Sequence, residues 1–230
     1  MKNDESPTAF GEQKAAAYDR TFEKLAPMKQ VLHLLMRMVL SELAEDACVL
    51  CVGAGTGAEL LALAEAFPGW RFTVVEPAEA MLTICRQRAE QAGITARITF
   101  HCGTIDTLPP SAPFDAATAI LVSHFLTARA DQEAFFAGIA ARIRSDGLFI
   151  NAAIASDEVG FEALLPLWLK TLRYAGLPDE RITGMAAAMG RDVAVLPLGV
   201  LSDLIADSGF SAPVLFCQTL LIHAWCARRL

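Results

Sequence analysis

The sequence predicts an α/β fold: a doubly wound, mostly parallel seven-stranded sheet that ends in an antiparallel hairpin and carries a helical lid insertion. Three observations predict it. First, the apolar run Val49-Leu50-Cys51-Val52 leads straight into Gly53, Gly55 and Gly57 and then into a helix. Second, from residue 48 to about 153, short apolar runs alternate with helical stretches. The runs are continuously apolar rather than alternating, which is the signature of a parallel sheet covered on both faces. Right-handed crossovers then leave a doubly wound layer as the consistent topology. Third, the alternation stops near residue 155. A helical segment follows, and the chain closes with two extended runs set close together, as in a hairpin.

The elements follow in order. Residues 1–20 read as an arm. A helix is expected over Met28–Leu43, with Val31, Leu34, Leu35 and Met38 on one stripe. Leu32, Met36, Val39 and Leu40 are also apolar, so more than one face is covered. Strand 1 spans about 48–52. The helix after the glycines runs over about 57–66, where Pro68-Gly69 stops it. Strand 2 covers about 71–76. Pro77 then opens a helix over about 78–92, ended by Gly93. Strands 3 and 4 fall at about 96–101 and 115–122. A helix over about 130–144 precedes Asp146-Gly147, which turns into strand 5 at about 147–153. The segment 157–190 is helical and rich in Phe161, Leu164, Leu165, Trp168, Leu169, Leu172, Tyr174 and Met185. A helix near 198–208 ends at Ser208-Gly209, and extended runs at about 213–217 and 219–227 complete the chain. The 230 residues are read as one domain, with an arm and helix at 1–45 and a lid at 156–197.

Glycine at alternate positions after a strand lets backbone come close to a ligand where a side chain would block it. A plain strand-to-helix turn needs only one glycine. Strand 2 ends in Glu76, and an acid there can accept hydrogen bonds from two ribose hydroxyls. Glycine turn and acid together read as a pocket for a nucleotide or nucleoside. The run Gly53 to Ala58 also satisfies the dinucleotide pattern, so NAD remains open on the motif alone.

Composition narrows the classes. Hydrophobic residues make up 54% of the chain and mean hydropathy is +0.40, enough for a large core and for a surface that a homodimer would cover. A net charge of −7 and a pI near 5.1 argue against nonspecific binding to nucleic acid or an anionic membrane. No apolar run reaches the ~18 residues that span a bilayer. The polar start, Met1 to Pro7, does not read as a signal peptide, so a cytoplasmic protein is expected. Cys48 and Cys51 form a C-x-x-C, but residues three apart on a strand point to opposite faces. They read as buried thiols rather than as metal ligands.

With these motifs the chain resembles the class I S-adenosylmethionine-dependent methyltransferases, over roughly residues 15–155 and more loosely the closing strands. The matching residues are Val52-Gly53-Ala54-Gly55-Thr56-Gly57, Val75-Glu76-Pro77 with Met81, and the loop His101 to Pro109. Phe114-Asp115-Ala116 and Ser145 to Ile150 match at the starts of strands 4 and 5. The nearest subgroup contains small-molecule methyltransferases and the carboxy-S-adenosylmethionine synthases of tRNA modification, which Ala17-Tyr18-Asp19 also resembles.

The resemblance implies a Rossmann-like methyltransferase fold and S-adenosylmethionine as cofactor, leaving as S-adenosylhomocysteine. It implies cofactor contacts from Tyr18, Gly53, Ala54, Gly55, Thr56, Gly57, Glu76, Pro77, Met81, Gly103, Thr104, Ile105, Leu121 and Val122. The family places an acid after the glycine at 103 to take the adenine amine. Here Thr104 stands there, with Asp106 two residues on, and backbone groups of Thr104 and Ile105 as the alternative.

The expected reaction is methyl transfer by SN2 to a small organic acceptor. His124, beyond strand 4, is the candidate general base against a plain loop histidine. Asp115, at the amino end of strand 4, reads as structural. The lid suits an apolar substrate, while Arg173, Arg181 and Arg191 would suit an anionic one; packing or a dimer interface is the competing reading of that segment. Three other functions stay open: a carboxy-S-adenosylmethionine synthase, a non-catalytic cofactor- or partner-binding protein, and an NAD-dependent oxidoreductase. A serine hydrolase does not fit, since no G-x-S-x-G elbow is present.

Overall fold

A computed structural model describes residues 22–230. Seven α-helices and seven strands make up the described chain. They are α1 (Ala26–Leu40), β1 (Cys48–Val52), α2 (Ala58–Ala66), β2 (Arg71–Glu76), α3 (Glu79–Gln91), β3 (Ile98–Cys102) and β4 (Phe114–Ile120). After these come α4 (Arg129–Ala140), β5 (Ile143–Ile154), α5 (Glu158–Ala175), α6 (Asp179–Ala188), α7 (Leu198–Asp207), β6 (Val214–Thr219) and β7 (Ile222–Arg228).

The strands form one sheet in the order β3-β2-β1-β4-β5-β7-β6. The first five pair in parallel. β7 runs antiparallel between β5 and β6, the expected hairpin, with its second strand in the inner position. β1 lies between β2 and β4, so chain order reverses direction there, and the loops after β1 and β4 diverge to open a crevice at the carboxyl edge.

Both faces of the sheet are covered, which is why β1 is apolar throughout. Val49 and Cys51 face a core built with Leu32, Met36 and Leu40 of α1, Leu60 and Leu63 of α2, and Leu82 and Cys85 of α3. Leu50 and Val52 face the other core, with Phe136 and Ile139 of α4 and Leu201, Leu204 and Ile205 of α7. Cys48 packs on this second side, so the two cysteines of the C-x-x-C point apart as the strand period requires.

Two sequence expectations need correction. The buried face of α1 is Leu32, Met36 and Leu40, flanked by Leu35 and Val39. Val31, Leu34 and Met38 are 46%, 50% and 59% exposed. A helix apolar on more than one side carries no single marker of its inner face, and docking on the sheet chose it. The helix expected over 130–144 ends at Ala140, because Ile143 already pairs with Phe114. β5 therefore begins four residues early, across a register shift in which Asp146 takes a left-handed φ of 62°. At the same end Asp115 accepts hydrogen bonds from the Cys48 amide and the Arg144 guanidinium, each at 2.8 Å. It is structural, far from the carboxyl edge, as its position suggested.

Beyond β5 the helical insertion is present. Asp157 caps α5 by accepting from the Gly160 amide at 2.6 Å, and Gly176 ends it at φ 93°. Its apolar interior joins Trp168, Leu172, Leu177 and Ile182 to Leu221 of the closing hairpin, to Ile154 at the end of β5, and to Phe22, Leu25 and Met28. The insertion is thus tied to the carboxyl edge.

One polar pair lies deep in the core. Glu59, in the first turn of α2, accepts from the Thr118 hydroxyl at 2.7 Å. Burial pushes its pKa up to about 7, against hydrogen bonds from Thr118 and Cys51 that pull it down. The folded state then holds this proton more tightly than the unfolded chain does. The associated stability is fully present below about pH 4.5 and is lost as pH rises through about 7. Urea titrations should show wild type losing about 3 kcal/mol more than Glu59→Gln between pH 4.5 and 8. Parallel pH profiles for the two proteins would show that this carboxyl is not shielded from water.

Candidate active site

The glycine loop follows β1 because Gly53, Gly55 and Gly57 adopt φ of 65°, 54° and 82°, which side-chain-bearing residues seldom take. Backbone bonds fix its path. Gly53 N–H donates to Val75 O at 2.7 Å, and Gly57 N–H to Ala54 O at 2.9 Å. The three glycines have different reasons. A Cβ on Gly53 would run into the Val122 side chain, and one on Gly57 would lie 2.6 Å from Cys85 Sγ. At Gly55 a Cβ would meet no atom of the described residues within 4 Å. Among the described residues, Gly55 alone of the three has open space at its Cβ position; the outer two pack against Val122 and Cys85. Ala54 and Thr56 are buried between them.

Glu76 ends β2 beside this loop, because β1 and β2 pair in register from Cys48↔Arg71 to Val52↔Val75. Its carboxylate is 7% exposed. Oε2 accepts from Gly55 N–H and Oε1 from Ala78 N–H, both at 2.9 Å. Burial raises its pKa, opposed by those two bonds. Each oxygen keeps a further lone pair, so the group is fixed and still able to accept. Pro77 leads into α3. Met81 is buried on its first turns with Ala78, Ala80 and Ile84.

The loop after β3 is held by a capping box. Thr104 caps the single turn 105–107, and its N–H donates to Thr107 Oγ1 at 3.1 Å. A Cβ on Gly103 would lie 2.7 Å from His101 Nε2. The Thr104 hydroxyl donates to the Asp106 carboxylate, which lowers the Asp106 pKa. Ile105 turns its side chain into the second core. The loop thus presents Thr104 and Asp106, not Ile105, as side chains.

After β4, Leu121 takes φ 60°, a left-handed conformation rare for a branched residue. Its N–H is held by Ala152 O at 2.7 Å. This bend seats Val122 over Gly53. Ser123 and His124 are buried behind it. Ser123 donates to Asn151 Oδ1 at 3.0 Å, and His124 Nδ1 accepts from the Ile154 amide at 3.3 Å. Burial lowers the His124 pKa to about 4. His124 is thus a shielded imidazole with one nitrogen committed to the backbone, in surroundings that disfavour its protonated form.

The loops after β1, β2, β3 and β4 thus bring most of the expected residues to one edge. The lid arginines do not join them as free charges. Arg173 pairs with Asp179 at 2.8 Å and Arg191 with Asp192 at 2.5 Å, all at the surface, and Arg181 is exposed. Tyr18 lies outside the described residues. The sequence reading missed Arg88 of α3, whose Nη1 donates to the Thr56 carbonyl at 3.1 Å and to its hydroxyl at 3.2 Å. Nothing in the motif marks it. It also missed Asn151, which was legible as one polar residue inside an otherwise apolar strand.

Residues 49–147 match a family model described as a methyltransferase domain. No curated protein matches the chain. Among solved structures, human N-acetylserotonin methyltransferase in complex with SAM shares 16% identity and a TM-score of 0.70, with 100% of this chain and 60% of that one covered. PigF with SAH shares 18% identity and a TM-score of 0.71, covering 99% and 63%. The [4+2]-cyclase SpnF shares 19% identity and a TM-score of 0.59, covering 80% and 60%. The chain spans about three-fifths of the length of these structures, and at such identities the likeness is one of fold. The antiparallel β7 agrees with it and departs from the mononucleotide-binding halves that build a dinucleotide fold. Residues 49–147 thus match a methyltransferase domain, and the sheet order around them is the fold of the methyltransferases with which the chain aligns.

Proposed function

We propose that the protein transfers a methyl group from S-adenosylmethionine to a small organic acceptor held beneath the lid at 156–197. One observation carries this reading: the open space over Gly55, next to a Glu76 carboxylate that Gly55 N–H itself fixes at 2.9 Å. A nucleoside with a vicinal diol and an amino-acid arm suits such an edge. Glu76 accepts from the two ribose hydroxyls, and the amino-acid arm lies over Gly55. First-turn N–H groups of α2, which have no intrahelical acceptor, face the same end. Pro77 and Met81 flank the nucleoside, and Leu121 and Val122 bound the reacting end. Asp106, oriented by Thr104, takes the adenine amine in place of the missing acid.

The cofactor supplies a methyl group activated by a positive sulfur. The acceptor's lone pair forms the new bond as the carbon–sulfur bond breaks, its electron pair staying on sulfur, and any acceptor proton passes to water. The chain's contribution is alignment and exclusion of solvent, which by themselves supply much of such a rate. His124 is not required. The lid interior is apolar, Arg173 and Arg191 pair with acids at its surface and Arg181 is exposed, which favours an uncharged, largely apolar acceptor. All six cysteines are free thiols, in keeping with a cytoplasmic protein. The exposed stripe Val31, Leu34 and Met38 is the surface that a homodimer would cover.

Calorimetry should find S-adenosylhomocysteine binding in the micromolar range and NAD not binding. NAD binding alone would overturn the assignment. Glu76→Ala should weaken S-adenosylhomocysteine by more than about tenfold, through loss of two hydrogen bonds to a charged group. An unchanged affinity would remove the ribose from this edge. Wild type should prefer S-adenosylhomocysteine to S-inosylhomocysteine, which lacks the amine, by about tenfold. Asp106→Ala should abolish that preference; if it survives, the amine is held by backbone groups of Thr104 and Ile105.

A further inference from the structure

We propose that Arg88 is a positioning residue for the site: it holds the Thr56 carbonyl from below and so selects the loop conformer that keeps Gly55 open to a ligand. The inference rests on the function proposed above and adds to it a residue that no glycine or acid motif contains.

Thr56 sits between Gly55 and Gly57, at φ 54° and 82°. Glycine populates positive and negative φ about equally. A flip of the peptide that joins Thr56 to Gly57 turns ψ of Thr56 and φ of Gly57, and Gly57 does not oppose it. That peptide is pinned at both ends. Its carbonyl accepts from Arg88 Nη1 at 3.1 Å, and its N–H, on Gly57, donates to Ala54 O at 2.9 Å. The same guanidinium nitrogen reaches Thr56 Oγ1 at 3.2 Å, so it also fixes the side chain. A flip would break both backbone bonds. Without Arg88 it would break only the Gly57 bond, and the segment directly after Gly55 would lose one of its two backbone anchors.

A second arginine provides the contrast. Arg97 grips the opposite end of α2, donating to Ala64 O at 3.0 Å and to Phe67 O and Trp70 O at 3.1 Å each. A cation there complements the helix dipole and satisfies terminal carbonyls, which stabilises the fold. Arg88 stands near the amino end of the same helix, where the dipole disfavours a cation. Its place is explained by the loop it holds rather than by the helix.

Hydrogen exchange and calorimetry on the full chain separate the two roles. Without ligand, Arg88→Met should speed exchange over residues 53–60 by about tenfold and leave 64–72 unchanged. Arg97→Met should show the reverse. Arg88→Met should weaken S-adenosylhomocysteine by about tenfold, Arg97→Met by less than about twofold. Arg88→Lys, which keeps one donor, should recover most of the affinity, and it serves as the test should Arg88→Met fail to fold, by retaining both slow exchange at 53–60 and tight binding. Equal effects of the two methionine variants, or wild-type affinity in Arg88→Met, would overturn the role. If wild type itself does not bind S-adenosylhomocysteine, the proposed function fails while the exchange contrast still decides what Arg88 does.

Discussion

The hydrogen bond from Gly55 N–H to Glu76 Oε2 is the contact on which the rest of the edge depends. It joins the loop after β1 to the last residue of β2, two places 21 residues apart in the chain. Parallel pairing of Val52 with Val75 makes it possible, since in-register strands end side by side. The carboxylate completes the bridge by accepting from Ala78 N–H at the start of α3. Strand, loop and helix are thus locked to one charged group. That group is affordable in a nearly buried place because two N–H donors replace the water it lost.

Beneath this edge the protein repeats the same solution. Glu59 meets Thr118, Ser123 meets Asn151, and His124 meets the Ile154 amide. Each pair ties a residue at or near a β–α loop to a neighbouring strand or helix. Directional bonds of this kind set orientation where apolar packing alone would leave loops free to slide. The left-handed Leu121 belongs with them, because its amide is held by Ala152. The edge is held by directional bonds and carries few titrating groups.

The insertion has a different character. It is an apolar cluster fastened to the ends of β5 and β7, with Arg173 paired to Asp179 at its surface. The Trp168 indole N–H is buried there with no hydrogen-bond partner among the described residues. Within one fold the edge around Glu76 is polar and hydrogen-bonded, while the helical segment after β5 is apolar inside.

The sequence by itself determined what depends on local pattern. Continuous apolar runs marked buried parallel strands, and Gly53, Gly55, Gly57 and Glu76 marked the edge, because glycine conformations and strand ends are local properties. The two faces of the C-x-x-C followed from the strand period, and the structural role of Asp115 from its place at the strand's amino end. Tertiary structure decided everything that depended on which surfaces meet. It chose Leu32, Met36 and Leu40 over Val31, Leu34 and Met38, since a helix apolar on more than one side does not say which side docks. It separated Gly55 from its two neighbours, since only the partners Val122 and Cys85 distinguish a packing glycine from an open one. It made His124 a buried, weakly basic residue, since basicity depends on desolvation and the sequence shows only an imidazole. It also brought Arg88 to the glycine loop across 32 residues, a contact that exists only once α2 and α3 lie side by side.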